Sequence, residues 1–588
     1  MSDFQTQMFG LFAEPASGPA QSKRSLDSSV ELMLPTRQWS KIIVDFSLVQ
    51  LGWVHCAVDE ATFMKEHDEF WQSLVEEKQE CLTNHGWIAV YLSILAVGAY
   101  FIHEAEIRDI QLLYESSSSQ PPSDAFLLGK SPAGLCRTWY EAALRELDLA
   151  DFTRKPALST IQTVAILNIV HKNLGQSSRE YILHGMAVNI ARLIGIDHLG
   201  KEKKRTAMAD PDRAQRKVHR RLWWTLVICD WMTIGSRPVS IHPDSFTTTL
   251  ETEDEKSDSP SPFEYHKVMA RIAAMIRSQV TSVRDWTPAI LQASFDDLDR
   301  VYDSFPIHLR CQNSADRPNH DLHDNNNEPY WNTLQRNLAL NCVDSCRISL
   351  YVATIPQMLD TLEPTRHADF SNGVPVARRI LNRIYNNPNL RLLKFWAANS
   401  AIISAGIFLA LDIICFQQYR PATQVVEEKE LVTLSFQMLE QSSAETRHGG
   451  LLVLRRLSHL YEIVLPALFR KIDRNALARI LRLVAVPRLW DSLPDTDATI
   501  RFVFQDSQPI SEGEISAQYV CSQTPASPSA PYTTQHEMCG AVPQGDTLDA
   551  WDPFQMLGQE EMIPDLGQFF PAADLFDALS IHRGEFLG

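Results

Sequence analysis

Residues 220–238 read RRLWWTLVICDWMTIGSRP. Two arginines stand before two adjacent tryptophans, an apolar run follows with one aspartate inside it, and the stretch breaks at Gly235-Ser236 before Arg237-Pro238. On a helix, Trp223, Val227, Trp231 and Ile234 share one face, while Trp224, Ile228 and Trp231 cover the neighbouring one. Adding Leu222, Leu226, Cys229 and Met232 makes the helix apolar nearly all round, which predicts a place inside a bundle. Asp230 then needs a partner, because an isolated buried carboxylate is costly. Arg237 lies just beyond the break and is positioned to fold back to it; Arg220 and Arg221 are more than two turns away. Stacking of the arginines on the indoles is the alternative use of their charge. The stretch reads as scaffold, not as a catalytic loop.

The surrounding chain has the same character. From Leu34-Pro35 to about Ile500, apolar residues recur at three-and-four spacing, and alternation with hairpin signals is scarce. The expected fold class is all-α, a large multi-helix bundle over 34–500. A Ser-, Gln- and Pro-containing lead over 1–33 and a Ser/Pro-rich, then acidic-hydrophobic, tail over 505–588 are expected to be disordered. Three polar stretches, 115–124, 251–262 and 311–328, are expected surface loops. Two apolar runs raise the question of a membrane. Trp87 to Ile102 is shorter than the ~20 residues a span requires. Phe395 to Phe416 is long enough but carries Asn399, Ser400, Ser404 and Asp412, and a central Asp is unfavourable in hydrocarbon. Both are expected to be buried bundle helices, with no membrane partner.

Charge and cysteine usage narrow the function classes. The net charge is −18, which gives no general attraction to a phosphate backbone. The ten cysteines are scattered and contain no CxxC. Cys342 and Cys346 share a helix face without a second pair, so core packing is expected and no metal. The first residues show no basic stretch followed by an apolar run, so no secretory signal is expected.

Catalytic patterns are likewise missing: no HExxH, GxSxG or GxGxxG occurs. Gly129-Lys130-Ser131 resembles the end of a phosphate loop, but Asp124 stands where the first glycine belongs. Asp296, Asp297 and Asp299 resemble the magnesium-binding acids of helical terpene synthases, yet Arg300 follows and no second metal motif appears. They are read as a solvated helix face. No catalytic residue and no cofactor are assigned.

The opening stretch resembles the RR-x-WW…D…GRP segment of the fungal-specific transcription factor domain, the helical regulatory region of zinc-cluster (Zn2Cys6) fungal factors. Other motifs agree in order. Leu34-Pro35, Trp53-Val54-His55, Phe63 and Phe70-Trp71 resemble the family's opening region. Pro156 to Gln162 is similar to its PSLSTIQAL helix start. Tyr181 to Gly195 is similar to its next helix, with Gly185, Ala187, Ala191 and Gly195 in place. The resemblance spans about Leu34 to Leu250. It implies structural-motif roles for Arg220, Arg221, Trp223, Trp224, Asp230, Arg237 and Pro238. Two departures stand out: Ser236 replaces the glycine before Arg237, and no cysteine precedes Cys56. The zinc module's DNA contacts are therefore not carried over, and direct specific DNA binding is unsupported.

Two further segments bear on function. From Ala541 onward, nine Asp/Glu face Arg583 alone, and bulky residues alternate with the acids. Trp551, Phe554, Phe569, Phe570, Leu575 and Phe576 form a candidate activation segment for a coactivator or the transcription machinery; docking of these residues on the chain's own core is the alternative. Lys203, Lys204 and Arg205 are a candidate nuclear-import signal, or simply a solvated loop. The resemblance implies a nuclear regulator acting through contacts, including homo- or heterodimers with a zinc-cluster factor, and control of secondary-metabolite genes. The rivals are a co-regulator or inhibitor that pairs with a full zinc-cluster factor and an all-helical enzyme built on Asp296, Asp297 and Asp299.

Overall fold

A computed structural model describes residues 34–76, 83–103, 106, 131–201, 213–233, 238–250, 261–282, 287–310, 330–353, 370–387, 390–417, 420–442 and 447–464. These residues form fourteen α-helices and no strand. The first seven are α1 (Arg37–His55), α2 (Glu60–Val75), α3 (His85–Phe101), α4 (Pro132–Leu149), α5 (Leu158–His171), α6 (Ser177–Leu193) and α7 (Arg213–Met232). The rest are α8 (Glu264–Ser282), α9 (Pro288–Asp303), α10 (Tyr330–Ala353), α11 (Gly373–Tyr385), α12 (Trp396–Phe416), α13 (Ala422–Gln441) and α14 (Arg447–His459). The all-α expectation holds.

Local sequence explains several helix starts. Thr36, Asp59, Asn84 and Thr287 each accept an N–H from the first turn of the following helix through the side chain, satisfying a donor that the helix itself cannot. Ser131 does the same for α4, with Pro132 behind it. That is what the Gly-Lys-Ser stretch provides here: a helix cap.

Both long apolar runs lie in the bundle's interior. α3 is buried continuously from Ile88 to Phe101 and packs on α1, α4 and α5. Gly98 permits the α1–α3 approach, since a Cβ there would sit 2.7 Å from Ile43 Cγ2 and 2.9 Å from the Ile43 carbonyl oxygen. α12 is buried from Ala398 to Phe416, and α10, α11, α13 and α14 surround it. By length and composition α12 could cross a membrane, yet from Ala398 onward it is buried inside the bundle. Each fully buried Leu, Ile or Phe in such a helix favours folding by about 1.5–3 kcal/mol.

One large core runs through α1–α7 and α10–α14, and a smaller one joins α8, α9 and α10. α10 belongs to both: Leu334, Leu338, Ile348 and Val352 face the first, and Leu340, Val343 and Leu350 the second. Cys346 is buried in the smaller core beside half-buried Cys342. The lead over 1–33, the loops 115–124 and 311–328, and the tail over 505–588 lie outside the described residues, as does the expected helical continuation past 464.

Candidate functional site

The quoted stretch forms most of α7, and four of its side chains, Arg220, Trp224, Asp230 and Trp231, share one job. They fasten the segment 238–250, a strap without regular helix apart from one turn at Pro243–Ser245, along the outside of the helix. Asp230 is 4% exposed, and its carboxylate accepts the backbone N–H of Ser240 (2.9 Å) and Ile241 (2.8 Å). His184 of α6 lies beside it, with Nε2 4.0 Å from Asp230 Oδ1. The partner of Asp230 is thus main chain just past Pro238; Arg237 lies outside the described residues. Among the described residues, hydrogen bonds from two amides are what satisfies this buried carboxylate.

Trp231 Nε1 donates to the Ile241 carbonyl at 2.9 Å, and Trp224 Nε1 to the Thr248 carbonyl at 3.1 Å. Phe246 of the strap sits against the rings of Trp223, Trp224 and Trp231, with centroids 5.3, 5.7 and 6.3 Å away. Edge-on arrangements of this kind add to the apolar burial. Trp223 itself is fully buried.

Arg220 is buried and closes the far end. Its guanidinium donates to the carbonyls of Gly200 (2.6 Å), Leu199 (3.3 Å) and Thr249 (3.4 Å). The strap meets the turn after α6 there: the Thr248 hydroxyl donates to the Ile196 carbonyl, and the amides of Thr247 and Thr248 donate to the Asp197 carbonyl. Gly195 makes that turn possible by taking a left-handed conformation, φ +79°. Arg221 does not stack on an indole; its guanidinium lies over the Phe263 ring, 3.4 Å from the centroid. The helix is not enclosed all round either, because Trp224, Ile228 and Cys229 are only half-buried and Arg213 to Gln215 are exposed.

The structure therefore brings Arg220, Trp223, Trp224 and Asp230 into one latch, with Pro238 at the strap's exposed start. Sequence reasoning missed His184, Thr248 and Phe246, whose roles exist only once the strap has folded back. It also missed the outward arc of α6 beside the strap, where Tyr181, Ile182 and Leu193 are exposed and Arg192 donates to the Ser240 carbonyl at 2.9 Å. Lys203, Lys204, Arg205 and the six candidate activation residues lie outside the described residues.

Nothing in the latch is arranged as a reaction centre. Asp297 pairs with Arg300, Asp299 with Arg347 at 2.5 Å, and Asp296 accepts from Gln292 at 2.9 Å. Among the described residues, no group of three or more His, Cys, Asp or Glu could hold a metal ion. Burial pushes the imidazoles of His55 and His266 down to about 3, which keeps both neutral near pH 7.

Comparison with known proteins extends this picture. Residues 31–261 match the Cep3 family model, which describes one of the subunits of the centromere DNA-binding protein complex CBF3. The agnestins biosynthesis cluster transcription factor AgnL11 of Paecilomyces divaricatus is 22% identical over 281 residues, 44% of this chain and 38% of that protein. Transcription factor TAS2 of Pyricularia oryzae is 31% identical over 126 residues, 20% of this chain and 16% of that protein. The matched stretches thus span well under half of either relative. In fold, the chain resembles the K. lactis CBF3 core with a TM-score of 0.53 at 14% identity, over 85% of this chain and 96% of that one. The matched region is fungal transcription-factor-like in sequence and CBF3-like in fold.

Proposed function

We propose that this chain is a nuclear transcription regulator that acts through protein contacts, with a helical body over 34–500 and a recruiting tail over 505–588. The observation that carries the reading is the latch. Arg220, Trp224, Asp230 and Trp231 direct their polar atoms to backbone groups, so the described part of the chain's most distinctive motif serves as scaffold for a surface. The two relatives named as transcription factors support the regulatory reading, and the name of one extends it to a biosynthetic gene set. The tail's acids and aromatics supply the contact chemistry. The partner is a coactivator or the transcription machinery, and a dimer with a zinc-cluster factor is the second mode of contact. Nuclear import is assigned to Lys203, Lys204 and Arg205.

The test is to tether residues 505–588 to a heterologous DNA-binding module. Reporter activation that is lost when Trp551, Phe569 and Phe570 become alanine is the expected result. Silence of the intact tail would overturn the recruiting role. Purified full-length chain should bind duplex DNA only weakly, with steep salt dependence and no sequence preference.

A further inference from the structure

α6 packs its inner side on α5 and α7, and its outward arc is unusually apolar for a solvent-facing surface. Ile182 is 54% exposed, Leu193 65% and Tyr181 41%, with Ile194 continuing the patch at the helix end. Gly185 lies between them, and a Cβ built there would meet nothing within 4 Å. The arc covers about three turns, roughly 18 Å of helix. Its charge is one-sided. From Ser178 to Ile194 the outward residues include Arg179 and Arg192 and no carboxylate, since Glu180 points inward and is buried. Arg179 is met by Glu141 of α4, whereas among the described residues Arg192 is held by the neutral Ser240 carbonyl and by no carboxylate.

The chain itself contains a segment of complementary chemistry. Asp546 to Leu579 carries eight Asp/Glu, no Lys or Arg, and Trp551, Phe554, Phe569, Phe570, Leu575 and Phe576. Trp551 and Phe554, and Leu575 and Leu579, have the three- and four-residue spacings of side chains that share a helix face. About forty residues separate position 505, where the tail begins, from Asp546, and at ~3.3 Å per residue a connection of that length can span on the order of 130 Å.

We infer that residues 546–579 dock on the outward arc of α6, with their aromatics on Tyr181, Ile182 and Leu193 and their acids facing Arg192. Being intramolecular, the contact needs little intrinsic affinity, because the tether supplies an effective concentration of order millimolar. The body then holds back the segment that recruits partners, and a competitor for the α6 arc releases it. This consequence rests on the recruiting role proposed above; the docking does not.

The test uses the full-length chain with a benzophenone amino acid in place of Ile182 or Leu193. Irradiation, digestion and mass spectrometry should find crosslinks from either position to peptides within 546–579, in protein of monomer mass. Crosslinked species of doubled mass would assign the arc to a second copy and overturn the proposal. Links confined to other parts of the chain, or no links, would also overturn it. In parallel, Ile182→Asp and Leu193→Asp should speed proteolysis within 546–579 several-fold while helix content and melting stay as in wild type, because both side chains already face solvent. Unchanged proteolysis in both variants would count against docking. Crosslinks together with a silent tethered tail would leave the docking standing and remove only the recruiting role.

Discussion

Asp230 of α7 and Ile241, eleven residues further along the chain, are joined by a 2.8 Å bond from the Ile241 amide to the carboxylate. A second amide, from Ser240, reaches the same group. Truncation would leave the buried Ile241 donor unpaired, a cost of about 1–3 kcal/mol for each orphaned group. Asp230→Ala should therefore lower stability by about 2–4 kcal/mol. Asp230→Asn, which keeps one acceptor but loses the charge, should fall between that variant and wild type. Urea denaturation followed by circular dichroism reads both; equal stability of all three proteins would mean that the strap is not held here.

Arg220 offers a sharper test because its geometry is specific. A guanidinium satisfies the Leu199, Gly200 and Thr249 carbonyls together, whereas an ammonium on a flexible stem does not match that fork. Arg220→Lys should cost about 1–2 kcal/mol and Arg220→Met more, the difference reflecting carbonyls left without donors. Limited proteolysis should show new cleavage within 238–250 in both variants before the bundle unfolds.

What could be read from the residues alone follows a physical divide. The burial of Trp223 and Trp231 was legible because helical periodicity is local, and the need of Asp230 for a partner was legible because charge burial is costly anywhere. The amides of Ser240 and Ile241 that bind it were not, since backbone amides carry no residue signature and the strap's return path is set by tertiary packing; Arg237 lies outside the described residues. The same limit hid Arg220, whose acceptors lie 20 and 29 residues away on opposite sides in sequence. The interior place of Trp396–Phe416 could be read from Asp412, an acid unsuited to lipid; Arg420 and Glu428, which receive it, stand on the next turn and helix of the chain.

Acid should destabilise the protein through its buried histidines. His55 and His266 are 1% and 5% exposed, and the Thr225 hydroxyl lies 3.2 Å from both the His55 carbonyl and His266 Nε2. Burial holds both imidazoles near 3, and Arg221 adds repulsion at His266. An unfolded histidine takes up a proton below about pH 6.5, so the contribution of these two rings is full above that pH and declines as pH falls toward 3, by up to about 1.4 kcal/mol per pH unit for each such group. Because Asp412 acts in the opposite direction over the same range, the readout is the comparison of variants: His266→Gln should lose less stability than wild type between pH 7 and pH 5. An identical pH dependence in the two proteins would contradict the burial of this ring.

The acids Asp296, Asp297 and Asp299 provide a test of the rival enzyme reading. Each is engaged at the surface of α9 by Gln292, Arg300 or Arg347. Exposed pairs of this kind contribute about 0–1 kcal/mol. The Asp296→Asn/Asp297→Asn double variant should keep wild-type melting and wild-type regulatory output in a reporter strain. Loss of output with stability unchanged would show that these carboxylates have a role beyond a solvated helix face.

The triad at the α12–α13 junction gives the most direct test of buried charge. Arg420 contacts Asp412, Glu428 and the Ser371 hydroxyl, and all three ionisable side chains are at most 5% exposed. Two carboxylates against one guanidinium would leave a net negative charge in the core. Burial and the neighbouring Glu428 therefore raise the Asp412 pKa, although Arg420 opposes the shift. With its folded pKa above the unfolded value, Asp412 binds its proton more tightly in the folded state. Its contribution is accordingly complete at acidic pH and is lost as pH rises from about 4 through the folded pKa. Asp412→Asn removes that titration and leaves Arg420 and Glu428 as a balanced pair. The stability of the variant relative to wild type should increase from pH 5 to pH 8. Arg420→Met strands both acids and should cost about 3–5 kcal/mol near neutral pH. A constant difference between Asp412→Asn and wild type across that range would mean that the aspartate is ionised throughout, with Arg420 alone compensating both acids.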